Sequence, residues 1–230
     1  MVGSIELANA YKLVDKICGR GVLSMKERTN RSFWNRISGI YDRFMKKDQN
    51  AYGEMIRLIR ARVTPDMEVL ELATGTGLIS LAIADRVRRI EATDFSPNMI
   101  AEAEKKDTPP NVHFSVQDAC NLPYEDKRFD CVIISNALHI MPEPELALKN
   151  MRRVLKDDGA LIAPTFTHAE NERSGKVKAA LMEMFGFHAY HKWTEKEYCE
   201  FLEQNGFSVC REQVLKADFP LTYAEAAKNC

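Results

Sequence analysis

The sequence has six cysteines, Cys18, Cys120, Cys131, Cys199, Cys210 and Cys230, but no C-x-x-C pair. That scatter argues against a zinc knuckle, a thioredoxin-type redox motif or a dense disulfide framework, and leaves buried or incidental thiols. No uncharged apolar run approaches the roughly 18 residues that a membrane span requires. The opening stretch mixes charges among its apolar positions instead of grouping a basic head with an apolar block, so no secretory signal is read there, and a soluble, cytoplasmic protein is expected. An excess of either charge is missing as well, since 32 Lys and Arg face 33 Asp and Glu. With no basic face mixed with aromatics outside the N-terminus, nucleic acid is not an expected partner. Internal repeats, low-complexity tracts and linkers are absent too.

Charge is uneven along the chain. Residues 1 to 50 hold ten Lys and Arg against five Asp and Glu. A solvated basic helix explains this, and contact with an anionic substrate or a membrane surface is the alternative. Leu7, Tyr11, Val14 and Cys18 share one face at helical spacing, as do Phe33, Ile37, Tyr41 and Phe44. A third stripe, Tyr52, Met55, Ile56, Ile59 and Val63, ends at Thr64-Pro65, where proline disfavours helix in the residue before it.

From Met67 the rhythm changes. Short apolar runs, "MEVLEL", "RIEATD", "NVHFSVQ", "FDCVIIS" and "ALIAPTF", alternate with helical patterns expected near 78–87, 97–106 and 144–155. Strands alternating with helices of this length predict βαβ units on a parallel sheet covered on both faces. Ser96 before Pro97 reads as an N-cap, Thr194 and Glu197 as a capping box, and "DDGA" at 157–160 as a turn. "SVCREQVL" and "DFPLTYAEA" suit a last strand pair.

The segment "LELATGTGLIS", residues 70–80, brings nearly bare backbone to the carboxyl end of the first strand, where an open α/β sheet binds its ligand. Gly75 and Gly77 can take φ > 0 without a Cβ clash; a plain tight turn is the bland alternative. Glu71 ends the strand, placed to hold an ammonium group or to orient the loop. Asp94 ends the second run, 17 residues past Gly77, where an acid can take both hydroxyls of a ribose. Asp118 and Ala119 end the third, suited to an adenine amino group and ring nitrogen. An adenosine joined to an amino acid fits all three.

At these residues the chain resembles the class I S-adenosylmethionine-dependent methyltransferases, particularly the small-molecule and lipid enzymes similar to the ubiquinone and menaquinone C-methyltransferases. The motifs are "ELATGTG" from Glu71 to Gly77, "TDFSPNMIAEAEKK", "VQDACNLPYEDKRFDCVIISNALHIM", "NMRRVLKDDGALIAPTF" and the tail "KWTEKEYCEFLEQNGF". In the family's pattern a glycine stands where this chain has Ala73, and Ala73 is expected in an ordinary backbone region. The resemblance implies a Rossmann-like α/β fold, its seven-stranded, mostly parallel sheet ordered 3-2-1-4-5-7-6 with strand 7 antiparallel. It also implies a helical lid or extension over residues 1–50 and an S-adenosylmethionine-binding domain over residues 51–230, one domain overall.

The cofactor implied is S-adenosylmethionine, with S-adenosylhomocysteine as product. Tyr41, Glu71, Ala73, Thr74, Gly75, Gly77, Asp94, Phe95, Met99, Asp118, Ala119, Ser135 and Asn136 are its candidate contacts, and His139 is the candidate general base. Packing is the alternative for Trp34 and Tyr41, and a satisfied wall histidine for His139. "MFGFHAYHKW", residues 184–193, is a candidate substrate-recognition element; His188 and His191 lack a third ligand, so no metal site is assigned. The expected acceptor is a small molecule or lipid head group. A nicotinamide oxidoreductase fits less well, because "ATGTGLIS" lacks the third glycine at dinucleotide spacing; a non-catalytic cofactor-binding module remains a further alternative. Acceptor identity, the methylated element and oligomeric state are not legible.

Overall fold

The computed structural model describes residues 25–45, 49–167, 189–216 and 220–228, with the side chains of 25–30 and 43–45 left aside. The stripe Leu7, Tyr11, Val14 and Cys18, together with His168, Phe185, Phe187 and His188, lies outside the described residues, as does the side chain of Phe44.

Helices α1 (Met25–Met45) and α2 (Gln49–Arg62) precede strand β1 (Glu68–Leu72). Then follow α3 (Leu78–Ile83), β2 (Arg89–Asp94), α4 (Pro97–Ala103), β3 (Val112–Val116), β4 (Phe129–Ile134), α5 (Pro144–Val154) and β5 (Leu155–Ile162). A two-residue β6 (Thr165–Phe166), α6 (Glu195–Gln204), β7 (Phe207–Leu215) and β8 (Leu221–Lys228) complete the order.

The sheet runs β3-β2-β1-β4-β5-β8-β6, with β7 on β8. The first five strands pair in parallel, and β8 lies antiparallel to β5 and to β7. Setting aside the β6 stub, this is the expected order 3-2-1-4-5-7-6. The stub has a local cause: the run expected as one strand is interrupted at Pro164, which has no N–H to give the ladder, and β6 resumes pairing on β8 beyond it.

Alternation along the strands feeds two cores. Val69, Ile90, Ala92, Cys131 and Ile133 pack with Met55 and Ile59 of α2 and Ile79 and Ile83 of α3. Leu70, Leu72, Val132 and Ile134 face the other way, onto Leu148 and Met151 of α5 and Tyr198 and Leu202 of α6. Both sheet faces are therefore covered, and each fully buried aliphatic side chain contributes roughly 1.5–3 kcal/mol against exposure.

The local signals appear in the structure. Ser96 Oγ accepts from Met99 N at 3.2 Å, with Pro97 opening α4. Thr194 and Glu197 exchange both bonds of the capping box, and Gly206 follows α6 at φ 84°. The expected "DDGA" turn is instead an irregularity inside β5: Phe129 pairs with Leu155 but Cys131 with Ala160, so one residue of β4 faces four of β5.

Candidate functional site

β1 lies between β2 and β4, so the crossovers leave the sheet in opposite directions from it and open a crevice at the carboxyl ends. The turn after β1 forms the floor. Thr74 N donates to Thr93 O at 2.9 Å and Gly77 N to Thr74 O at 3.0 Å. These bonds hold Ala73, Gly75 and Gly77 at φ 53°, 57° and 78°. Ala73 is thus left-handed, contrary to the expectation from its Cβ: the turn's hydrogen bonds fix the backbone whichever residue stands there. A Cβ on Gly77 would come within 2.6 Å of the Phe114 ring, so α3 can close onto β3 only with glycine at its start.

Asp94 enters the crevice from β2. Gly75 N donates to Asp94 Oδ2 at 2.8 Å and Ser96 N to Oδ1 at 2.7 Å. Burial raises its carboxyl to about 6, opposed by those amides and that of Phe95. Asp118, past the end of β3, accepts from Cys120 N at 2.8 Å. The turn after β4 builds the opposite wall, with Asn136 also left-handed at φ 53° and its N–H bonded to Pro164 O at 2.8 Å.

Helix α1 lies across the opening. Ser96 Oγ donates to Asn35 Oδ1 at 2.6 Å, and Asn98 Nδ2 to Asn35 O at 3.0 Å. Asp42 accepts from the Thr76 hydroxyl and pairs with Lys106 Nζ at 2.7 Å. The Tyr41 ring then stands over the glycine turn, 3.5 Å from where a Gly75 Cβ would be. Trp34 meets Tyr41 edge-on at 6.0 Å, and the Arg31 guanidinium sits 4.8 Å from the Phe95 ring centre. Burial first, then Tyr52 and the nearby carboxylates, pushes the Tyr41 hydroxyl well above its ordinary value, so it stays a protonated donor.

One cleft gathers most of the candidates: Tyr41, Ala73, Gly75, Asp94, Phe95, Met99, Asp118, Ala119, Ser135 and Asn136 all line it. Glu71, Thr74, Gly77 and His139 do not. Glu71 is buried behind the turn, where it accepts from the Ser80 hydroxyl. Burial raises its carboxyl to about 7, against the hydrogen bonds of Ser80 and Thr74. It orients the loop from behind. His139 is buried with Nδ1 at 2.9 Å from Thr165 Oγ1 and its ring edge-on to Phe166. His191 stacks on Trp193 at 4.7 Å, and its backbone N–H reaches His139 O at 3.1 Å.

Among the lining residues that sequence reasoning missed are Arg31, Thr93, Ile140, Met141 and Pro142. Thr93 precedes Asp94 and was within reach of the motif; Arg31 carries no local signal, because its place depends on how α1 docks.

Residues 70–163 match the family model of a methyltransferase domain. A demethylmenaquinone methyltransferase of Staphylococcus aureus is 33% identical over 209 residues, 84% of this chain and 83% of that protein. One of Renibacterium salmoninarum is 38% identical over 104 residues, 45% of this chain, and the match spans 43% of that relative's length. Among solved structures, the fold is similar to Burkholderia thailandensis 1,6-didemethyltoxoflavin-N1-methyltransferase with bound 1,6-didemethyltoxoflavin and S-adenosylhomocysteine. That TM-score is 0.69 at 18% identity, covering 92% of this chain and 93% of that one. The complex of DhpI with S-adenosylhomocysteine gives 0.68 at 21%, covering 88% and 96%. An identity of 33% sustained along most of the chain, on a sheet wound in this order, places the protein: it belongs to the class I S-adenosylmethionine-dependent methyltransferases.

Proposed function

We propose that this chain transfers the methyl group of S-adenosylmethionine to a small apolar acceptor built on an aromatic ring, of the naphthoquinol kind. The observation that carries the choice of acceptor is the chemistry of the cleft's two sides. Among the described residues its charged lining residues are Arg31, Asp94 and Asp118, and all three belong to the side of β2 and β3. The wall from the turn after β4 is uncharged: Ser135, Asn136, Ala137, Ile140, Met141 and Pro142. Trp34 adds an aromatic surface. An apolar ring loses least by leaving water for such a wall. The S. aureus relative is named for a demethylated menaquinone, which is an acceptor of this class.

The residues fit the cofactor on their own chemistry. Asp94 sits fixed by two backbone amides, with lone pairs left for the two ribose hydroxyls. Asp118 and Ala119 suit the adenine edge, and Phe95 and Met99 supply apolar surface for its face. The turn from Ala73 to Gly77 leaves room for the amino-acid portion. S-adenosylmethionine supplies an electrophilic methyl group whose transfer disperses the sulfonium charge.

The protein's part is to align and to exclude water. Helix α1 acts as the lid, pinned through Asn35 and Asp42, with Tyr41 over the methionine end. Ser135 and Asn136 face the transferred group. His139, engaged with Thr165, supports the wall turn and serves as base only for an acceptor that must lose a proton; undiminished turnover in His139→Ala would remove that role.

The test is methylation by the purified protein, with labelled S-adenosylmethionine, of 2-prenyl-1,4-naphthohydroquinone, histamine and phosphatidylethanolamine in parallel. Label in the naphthohydroquinone is expected. Label only in the amine or the phospholipid would contradict the acceptor class.

A further inference from the structure

Behind the cleft wall lies a tyrosine that belongs neither to the motifs nor to the lining residues. Tyr52, on α2, is buried in the core among Met55, Ile59 and Val63. Its helical spacing gives only the reading of a core stripe. Yet Asn136 Nδ2 donates to its hydroxyl at 2.8 Å. The same hydroxyl interacts with that of Tyr41 from the lid. Asn136 Oδ1 is buried and, among the described residues, has no hydrogen-bond partner. Among the described residues the amide of Asn136 is therefore oriented by Tyr52, on a side chain whose final torsion is intrinsically soft. The backbone beneath it is already committed to a left-handed turn.

We propose that Tyr52 is a positioning residue for methyl transfer: its hydroxyl ties the lid tyrosine to the Asn136 amide and so sets the polar groups presented to the acceptor. This rests on the reading that the acceptor meets the wall formed by Ser135 and Asn136. Tyr52 touches neither acceptor nor cofactor. Its contribution is to remove the freedom of two groups that do line the cleft, Tyr41 and Asn136. Small errors of geometry at a reacting centre cost large factors in rate. The device also links closure to alignment, because only a docked α1 brings Tyr41 to Tyr52.

The experiment compares wild type, Tyr52→Phe, Asn136→Ala and the double variant. Tyr52→Phe keeps the ring in its core site and removes only the hydroxyl. The expected result is S-adenosylhomocysteine affinity within about two-fold of wild type and a kcat on 2-prenyl-1,4-naphthohydroquinone reduced at least ten-fold. The double variant is expected to lose less than the product of the two single losses, since residues acting through one another are not additive. Unchanged kcat in Tyr52→Phe, or losses that multiply in the double variant, would overturn the proposal.

A second readout needs no acceptor. The side-chain amide of Asn136, assigned in the nitrogen-proton spectrum of the S-adenosylhomocysteine complex by its loss in Asn136→Ala, is expected to shift and exchange faster with water in Tyr52→Phe. An amide signal that does not move would overturn the proposal even if the naphthohydroquinone is not a substrate, and failure of that substrate with wild type would count only against the acceptor class.

Discussion

Ala73 is a non-glycine residue held at φ 53°, a conformation that costs an L-residue roughly 1–2 kcal/mol. Glycine would remove that strain but give back about 0.5–1 kcal/mol in chain entropy. Ala73→Gly is therefore expected to stabilise the fold by roughly 0.5–1 kcal/mol, read as a shift in urea midpoint at unchanged slope; a destabilised variant would contradict the account of the turn. Glu71 gives a pH signature. Its carboxyl lies near 7 in the folded chain because burial disfavours the charge, against about 4.3 when unfolded. Between those values the folded state binds more protons, so its contribution favours folding at low pH and is lost as pH rises through that window. Glu71→Gln should flatten the fall in stability between pH 5 and 7, on the order of 2–3 kcal/mol; a pH profile identical to wild type would show that Glu71 is not the group titrating. Asp94, near 6, gives the opposite slope in binding. Ribose hydroxyls donate best to an ionised carboxylate, so affinity for S-adenosylhomocysteine should drop as pH falls below about 6, and Asp94→Asn should lose that dependence. Calorimetry at pH 5 and pH 7.5 checks both.

At the scale of elements, α1 is the piece whose docking completes the site. Its grip on α4 runs through Asn35, which meets the Ser96 hydroxyl and Asn98 Nδ2, and its grip on the glycine turn through Asp42. The capping bond from Met99 N to Ser96 Oγ does not pass through Asn35. Asn35→Ala should accordingly weaken S-adenosylmethionine binding about five- to ten-fold, the worth of one net hydrogen bond, with little change in unfolding temperature. Equal affinity in the variant would mean that the helix stays closed without this latch. The irregularity of β5 opposite Asp130 is far from the cleft and plays no part in this.

Over the whole molecule, the succession of strands and helices was legible from Met67 onward because each apolar run is short, β-rich and closed by a turn signal. The order of strands was not, since pairing between β5 and β8 depends on long-range contacts that no local pattern records; it came only from resemblance to a family. The same division holds for the site. Asp94, Asp118 and the glycine turn lie at strand ends, where spacing alone points to the crevice. Tyr52 and Arg31 owe their places to how α2 and α1 pack, so their helical stripes read as core or solvated face. The left-handed backbone of Ala73 escapes the sequence for a related reason: residue preference argues one way, and the hydrogen bond from Thr74 N to Thr93 O on the adjacent strand decides the other.

The functional expectations depend on one claim, that the cleft between Asp94 and the glycine turn takes S-adenosylmethionine. Calorimetric titration of wild type and Asp94→Ala with S-adenosylhomocysteine and with NADH tests it directly. Micromolar binding of S-adenosylhomocysteine to wild type, at least a ten-fold loss in a folded Asp94→Ala variant and no heat from NADH are predicted. Equal affinity in the two proteins, or a preference for NADH, would contradict it.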